Sequence, residues 1–309
     1  MEGLDTVVAI LVGAIRAGTP LVLAAMGELV TEKSGVLNLG VEGMMLVGAV
    51  SGFIATVATG NIYVGIAASI VAGMLMALLF AFLVLSLMTN QVATGLALTI
   101  FGVGLSAFMG IKYVGTPIEG LKPILIPYLS DLPVVGPILF THDILIYAAV
   151  LLVIGVAWFL YKTRRGLILR AVGESHDAAH AIGHPVVMIR YLAVLFGGGA
   201  AGLAGGYLSL VYTPQWVENM TAGRGWIALA LVVFATWRPG RVLLGAYLFG
   251  GITIMSLHIQ ALGFNVSSHL VATVPYLATI LVLVIISRDA TKIKLNAPAA
   301  LGRPFHPTV

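Results

Sequence analysis

The chain has 309 residues, of which 60% are hydrophobic and only 9% are charged, and its mean hydropathy is +1.06. Soluble domains carry about a quarter charged residues, so this composition excludes an ordinary water-soluble enzyme or binding module. The net charge of +4 comes without an aromatic-rich basic face, which argues against a nucleic-acid partner, and the lack of cysteine excludes disulfides and thiolate metal sites.

Apolar runs recur along the whole chain, and most approach the roughly 20 residues that a helix needs to cross a 30 Å hydrocarbon layer. They predict an all-α, polytopic transmembrane bundle that forms a single domain over residues 1–309. We count about nine spans, within a range of eight to ten: 6–26, 41–58, 63–87, 92–110, 143–161, 191–212, 225–237, 242–258 and 270–287. The run 225–237 is short, and 92–110 could instead be re-entrant.

The break between the first two runs is unusually polar for its surroundings. Glu28 and Glu32 lie one helical turn apart, while Asn38 and Glu42 extend polarity into the second run. Charges flanked this closely by apolar spans usually pair, line a cavity or lie at an interface. We favour a helix break that lines a path for a polar substrate over the alternative, a cytoplasmic turn with solvated carboxylates.

Two later breaks are more ordinary. Asn90 and Gln91 form a short turn whose amides could contact a substrate, although a plain turn is the favoured interpretation. The segment 111–141 is rich in proline, which fixes φ and removes hydrogen-bond donors, so an irregular or short-helical loop is expected there. It is either a tether or a docking surface for an extracytoplasmic partner.

The longest polar segment, about 162–190, carries five of the 16 basic residues and is predicted to form helix, turn, helix. Because loops rich in Lys and Arg stay in the cytoplasm, this segment and the tail, about 288–309, are expected on that side. Residues 174–183 predict a short helix that ends at Gly183, with Ala178 and Ala179 giving a small surface suited to a groove of another protein. The break at residues 183–185 disfavours a metal site at the neighbouring histidines, and no metal site is predicted.

Glycines repeat within the run 197–206, where Gly198, Gly202 and Gly206 fall on one helical face. Small residues spaced four apart let membrane helices approach closely, so this run predicts tight packing and not chemistry.

Four stretches together resemble a known family. They are GELVTEKSGVLNLGVEGMM at 27–45, GLILRAVGE at 166–174 with the alanines and glycine that follow, TAGRGWIALA at 221–230, and PYLATIL at 275–281. They are similar to the ABC importer permeases of the branched-chain amino acid, ribose and nucleoside group, and closest to its simple-sugar and nucleoside branch. The segment 236–240 and His184 depart from that pattern.

The resemblance implies a permease subunit that imports nucleosides or, second, simple sugars, in a bacterial-type plasma (inner) membrane. It implies a second homologous permease, with a heterodimer expected, a cytoplasmic ABC ATPase that uses Mg-ATP, and an extracytoplasmic substrate-binding protein. The residues expected to couple to the ATPase are Arg170, Gly173, Glu174, Ala178, Ala179 and Gly183.

The chain itself holds no phosphate-binding GxxxxGK[ST] loop and no cofactor is expected in it. Neither an HExxH motif nor a GxSxG elbow is present, so no catalytic residue is predicted. The main alternative is an ion-coupled secondary transporter of a small polar solute, in which Glu28, Glu32 and Glu42 would carry the coupling ions.

Overall fold

The computed structural model describes residues 2–261, 273–278, 281 and 296–306 of the chain. Within these ranges the regular structure is helical, apart from two isolated β-bridges, which confirms the predicted all-α class. The main helices, in chain order, are α1 (Glu2–Lys33), α2 (Val41–Thr59), α3 (Ile62–Ala81), α4 (Gln91–Gly110), α5 (Val135–Leu139), α6 (Ile144–Lys162), α7 (Arg164–Glu174), α8 (His176–Ala181), α9 (Val186–Tyr207), α10 (Arg224–Phe234) and α11 (Pro239–Ala261). Short π-helical segments extend α3 (Phe82–Ser86) and α9 (Leu208–Tyr212).

Seven helices of the described chain are long and apolar enough to cross a membrane: α1, α2, extended α3, α4, α6, extended α9 and α11. The chain is therefore a multi-pass membrane protein. The predicted span 225–237 holds only the 11-residue helix α10, which is about 16 Å long and too short to cross. The predicted span 270–287 lies largely outside the described residues, so the count of about nine is not confirmed.

Glycines bring α2, α3 and α9 into close contact. A β-carbon built on Gly48 would lie 2.5 Å from the α-carbon of Gly202, and one built on Gly73 would lie 2.7 Å from that atom. Carbon atoms that are not bonded cannot approach so closely, so only the hydrogen of glycine fits at these positions. The predicted tight packing of the 197–206 run is thus confirmed at Gly202, and α9 lies at the centre of the bundle.

Replacing Gly202 with valine is expected to destroy the fold, because the new side chain would meet the Ser69 carbonyl and the backbone of Gly73. Backbone cannot move aside as a flexible side chain can, so we expect a loss of about 3 kcal/mol or more. Size-exclusion chromatography of a detergent-solubilised fluorescent fusion should show aggregated protein. Gly104→Val is the control, since a β-carbon there meets nothing within 4 Å, and a monodisperse Gly202→Val protein would contradict the argument.

The end of the bundle that carries α7 and α8 is here called the basic end. The break between α1 and α2 lies at this end, where the Arg190 side chain donates its Nε–H to the Ser34 carbonyl at 3.2 Å. The break also reaches the start of α4, since the Leu37 N–H donates to Oε1 of Gln91 at 2.8 Å. Helix α4 is continuous over 20 residues, about 30 Å, so it crosses the bundle and is not re-entrant.

Residues 213–223 return into the bundle from the opposite end. Trp216 lies against Gly110, the last residue of α4, and pairs with Val114 in an isolated bridge. Seven residues later, the Gly223 N–H donates to the carboxylate of Glu42, in the first turn of α2. That turn packs on Thr99, eight residues into α4 and therefore about 12 Å from the basic end.

Helix α10 then completes the crossing. It begins at Arg224, inside the bundle, and the chain reaches Trp237, whose carbonyl accepts a hydrogen bond from the Tyr161 hydroxyl at the end of α6. The segment 213–237 therefore crosses the bundle as an irregular stretch followed by a half-helix. Such irregular backbone is tolerated at membrane depth only where protein or a water-filled cavity surrounds it.

Candidate functional site

Glu42 holds the start of the half-helix α10. Its side chain is 4% exposed, and its carboxylate accepts hydrogen bonds from the Thr221 hydroxyl at 2.5 Å, the Gly223 N–H at 2.8 Å and the Gly225 N–H at 2.6 Å. The first N–H groups of a helix have no partner within that helix, and its N-terminus carries a partial positive charge. A buried carboxylate at this position accepts hydrogen bonds from these N–H groups and complements the positive charge. Glu42 therefore fixes where α10 begins.

Glu32 holds the other end of α10. The buried indole of Trp237 donates its Nε1–H to Oε2 of Glu32 at 2.5 Å. Thr236 and Trp237 both adopt left-handed backbone, with φ of +50° and +53°, and Arg241 donates to the Thr236 hydroxyl at 2.7 Å. Consecutive left-handed residues other than glycine cost free energy, so these side-chain contacts stabilise the turn. The two glutamates together clamp a half-helix between them.

Glu28 and Asn38 lie at the break between α1 and α2. The Asn38 N–H donates to Oε1 of Glu28 at 3.2 Å, and the Asn38 side chain accepts from the Gly40 N–H at 2.9 Å, which closes a turn before α2. The second carboxylate oxygen of Glu28 is buried and has no hydrogen-bond partner among the described residues. A buried acceptor without a partner is costly, which makes this oxygen the best candidate contact for a polar ligand or water.

The amides at the start of α4 have different roles. Gln91 is buried and accepts from the break at Leu37, whereas Asn90 is exposed and its side chain accepts from the Ala93 N–H as the N-cap of α4. A cap facing solvent matches the favoured interpretation of that turn. The structure thus gathers five of the six predicted path residues in the buried region around the break and α10, and leaves Asn90 outside it. That they contact a substrate stays a prediction.

The basic segment folds as two helices joined by a short turn, as its sequence predicted, and the structure shows that a side chain caps the start of each. The Thr163 hydroxyl accepts from the Gly166 N–H at the start of α7, and the Ser175 hydroxyl accepts from the Ala178 N–H at the start of α8. Gly183 follows α8 with φ of +89°, a conformation that favours glycine. We call α7 and α8 together the elbow.

The tail residues 296–306 tie the elbow to the break between α1 and α2. The Ala300 N–H donates to the Gly173 carbonyl, and the Ala299 N–H donates to the Glu174 carboxylate. The Gly302 N–H donates to the Gly35 carbonyl, and the Arg303 carbonyl accepts from the Arg190 guanidinium. The ring of Phe305 lies 5.2 Å from His176 and 5.4 Å from His180, between centroids, and packs against buried Ala179. No local pattern indicated these contacts.

The six predicted coupling residues divide by their surroundings. Gly173 and Ala179 are buried and Glu174 binds the tail, while the Arg170 guanidinium stacks 5.3 Å from the centre of the Tyr161 ring. Ala178 and Gly183 are exposed, as is Ile182, which the sequence reasoning missed and which is 72% exposed. Its signal was one large apolar residue directly after a short helix whose own side chains are all small or polar.

The sequence matches known transport proteins along nearly its whole length. The family described as the permease component of branched-chain amino acid transport systems matches residues 10–286. The chain is 44% identical to the putative glucose ABC transporter permease protein TsgC13 of Haloferax volcanii, over 94% of this chain and 95% of that protein. It is 31% identical to the guanosine ABC transporter permease protein NupQ of Bacillus subtilis, over 93% and 92% of the two chains.

It is also 30% identical to the nucleoside ABC transporter permease protein NupC of Lactococcus lactis subsp. cremoris, over 92% of this chain and 93% of that one. No solved structure matches the chain significantly.

Proposed function

The chain belongs to the family of permease components of branched-chain amino acid transport systems, and on that premise we propose that it imports nucleosides or simple sugars. The observation that carries this substrate class is the identity of 44% to a putative glucose permease and of about 30% to two nucleoside permeases, each over more than nine-tenths of both chains. Both kinds of substrate present sugar hydroxyls, which suit buried carboxylate and amide acceptors.

The proposed path runs beside the break between α1 and α2 and along α10. Glu28, Asn38 and Gln91 lie at the break, and the free carboxylate oxygen of Glu28 would accept a hydrogen bond from a substrate hydroxyl. Glu32 and Glu42 would act by holding α10, since their oxygens already accept hydrogen bonds from its two ends.

The proposed coupling is mechanical. A cytoplasmic ATPase that binds Mg-ATP would press on the elbow, and the tail would pass this movement to Gly35 and Arg190 at the break. The end of α1 would then shift Glu32, and with it Trp237 at the end of α10. The partner hydrolyses the ATP. This chain changes shape in response and contributes no catalytic residue and no cofactor of its own.

The assembly expected around the chain follows from its family, whose importers work with an ATPase and a substrate-binding protein. We propose that a second permease, homologous and in a heterodimer, completes the path. We propose that the basic elbow faces the cytoplasm, because basic connections are retained on that side. We also propose a bacterial-type plasma membrane, in keeping with the relatives from Bacillus subtilis and Lactococcus lactis.

Uptake by the reconstituted complex tests this proposal. Proteoliposomes with the permease pair, the ATPase inside and the binding protein outside should take up labelled glucose or guanosine only when Mg-ATP is enclosed. Competition with unlabelled sugars, nucleosides and branched-chain amino acids would then give the substrate class. Transport by this chain alone, driven by a proton or sodium gradient, would overturn the proposal in favour of a secondary transporter.

A further inference from the structure

A deep groove lies between α6 and α9 on the outside of the bundle. It encloses a cavity of about 860 Å³, floored by Val30 of α1 and closed at one end by α7 and the turn before α9. Leu151 and Leu192 line it and are 66% and 56% exposed, so the groove opens sideways. Both flanking helices are membrane spans, and the opening therefore faces lipid or another membrane protein.

One end of the groove is cationic and the rest is apolar. Arg165 and His184 line it at the basic end, and its other lining side chains are apolar from Ala148 to Phe196. Arg165 is exposed and has no carboxylate or hydrogen-bond partner among the described residues, and Lys162 and Arg164 add positive charge beside it. An unpaired guanidinium above an apolar channel suits an anionic head with a hydrocarbon chain.

The length of the groove fits one leaflet of a bilayer. The lining residues on α6 run from Ala148 to Phe159, which are eleven steps apart, or about 16 Å of helix. Those on the α9 side cover a similar length from Pro185 to Phe196. The hydrocarbon core of a bilayer is about 30 Å thick, so each leaflet contributes about half of it. The groove therefore extends from the interface, at Arg165, to near the bilayer midplane.

We propose that this groove is a binding site for an anionic phospholipid. Arg165 would bind the phosphate with a charge-assisted hydrogen bond, His184 would lie beside the headgroup, and one acyl chain would fill the channel between α6 and α9. The site is distinct from the path beside α10, and it does not depend on which substrate the chain transports.

A second groove on the same protein offers an internal comparison. It lies between α3 and α4, has a cavity of about 460 Å³, and is lined by apolar residues and Thr94 without any charged side chain. Lipid in that groove would have no cationic partner, so we expect no preference there between anionic and zwitterionic headgroups.

Native mass spectrometry of the full-length chain tests the proposal. Protein equilibrated in nanodiscs of equal parts phosphatidylglycerol and phosphatidylcholine, then released into detergent, should retain phosphatidylglycerol preferentially. Arg165→Gln should lower that retention about tenfold, since hydrogen bonds to charged groups are worth at least that factor. Arg164→Gln is the matched control. It removes the same charge from the neighbouring residue, whose side chain does not line the groove.

A steric variant keeps the test independent of charge. Gly155 lines the groove and a β-carbon there meets nothing within 4 Å, so Gly155→Leu should fill the channel without disturbing the core and also lower retention about tenfold. Gly104→Leu, on exposed α4 surface with equal space, should leave retention unchanged. Equal losses in both arginine variants, equal retention of the two lipids, or a Gly155→Leu protein that keeps its lipid would overturn the proposal.

Discussion

Replacing Glu42 with glutamine is expected to lower the stability of the protein by about 3 kcal/mol and to abolish uptake. The carboxylate accepts three hydrogen bonds at the buried start of α10, from Thr221, Gly223 and Gly225. An amide keeps one acceptor but turns an NH₂ group toward a backbone N–H that now lies 2.6 Å from an oxygen. Donor would face donor, and the charge that complements the helix N-terminus would be lost.

The measurement is the thermal transition of the purified protein in detergent, together with uptake in the reconstituted complex. Glu218→Gln is the matched control, because Glu218 lies in the same irregular segment but is exposed. It should melt and transport as the parent does. An unchanged transition for Glu42→Gln would show that the start of α10 is held by packing alone, and the clamp argument would fail.

Much of the fold could be read from local patterns in the sequence. Apolar runs of sufficient length predicted the seven crossing helices, and Thr163, Ser175 and Gly183 have the side chains and backbone freedom that begin and end α7 and α8. These signals depend only on neighbours within a few residues, so they can be read from the sequence without knowledge of the tertiary structure.

The half-helix α10 could not be predicted in the same way. Its residues are apolar, so hydropathy counted 225–237 as a span, but hydropathy does not report where a segment enters the bundle. That depth is set by Glu42 and Thr221, which are 179 residues apart in the chain. The sequence analysis recognised the polar residues near the break as unusual. It could not identify the donors of their hydrogen bonds, because those donors lie on elements far away in the chain.

The same limit applies to the tail. Phe305 packs on His176 and His180, and the Ala300 N–H donates a hydrogen bond to the Gly173 carbonyl. The last described residues therefore complete the elbow, which the sequence analysis placed within residues 162–190 alone. A bulky residue at buried Ala179 would therefore displace the tail as well as any partner. A test of coupling has to use a side chain that faces outward.

Ile182→Asp should lower ATP-driven uptake and transport-stimulated ATPase activity about tenfold or more while leaving the thermal transition unchanged. Ile182 is 72% exposed at the tip of the elbow, so a carboxylate there costs the free chain little. In the proposed coupling, Ile182 packs against the ATPase, where a carboxylate removed from water without a partner would be strongly unfavourable. Ile182→Leu keeps the apolar volume and should retain activity. Full activity of Ile182→Asp would mean that force enters the bundle elsewhere than at the end of α8.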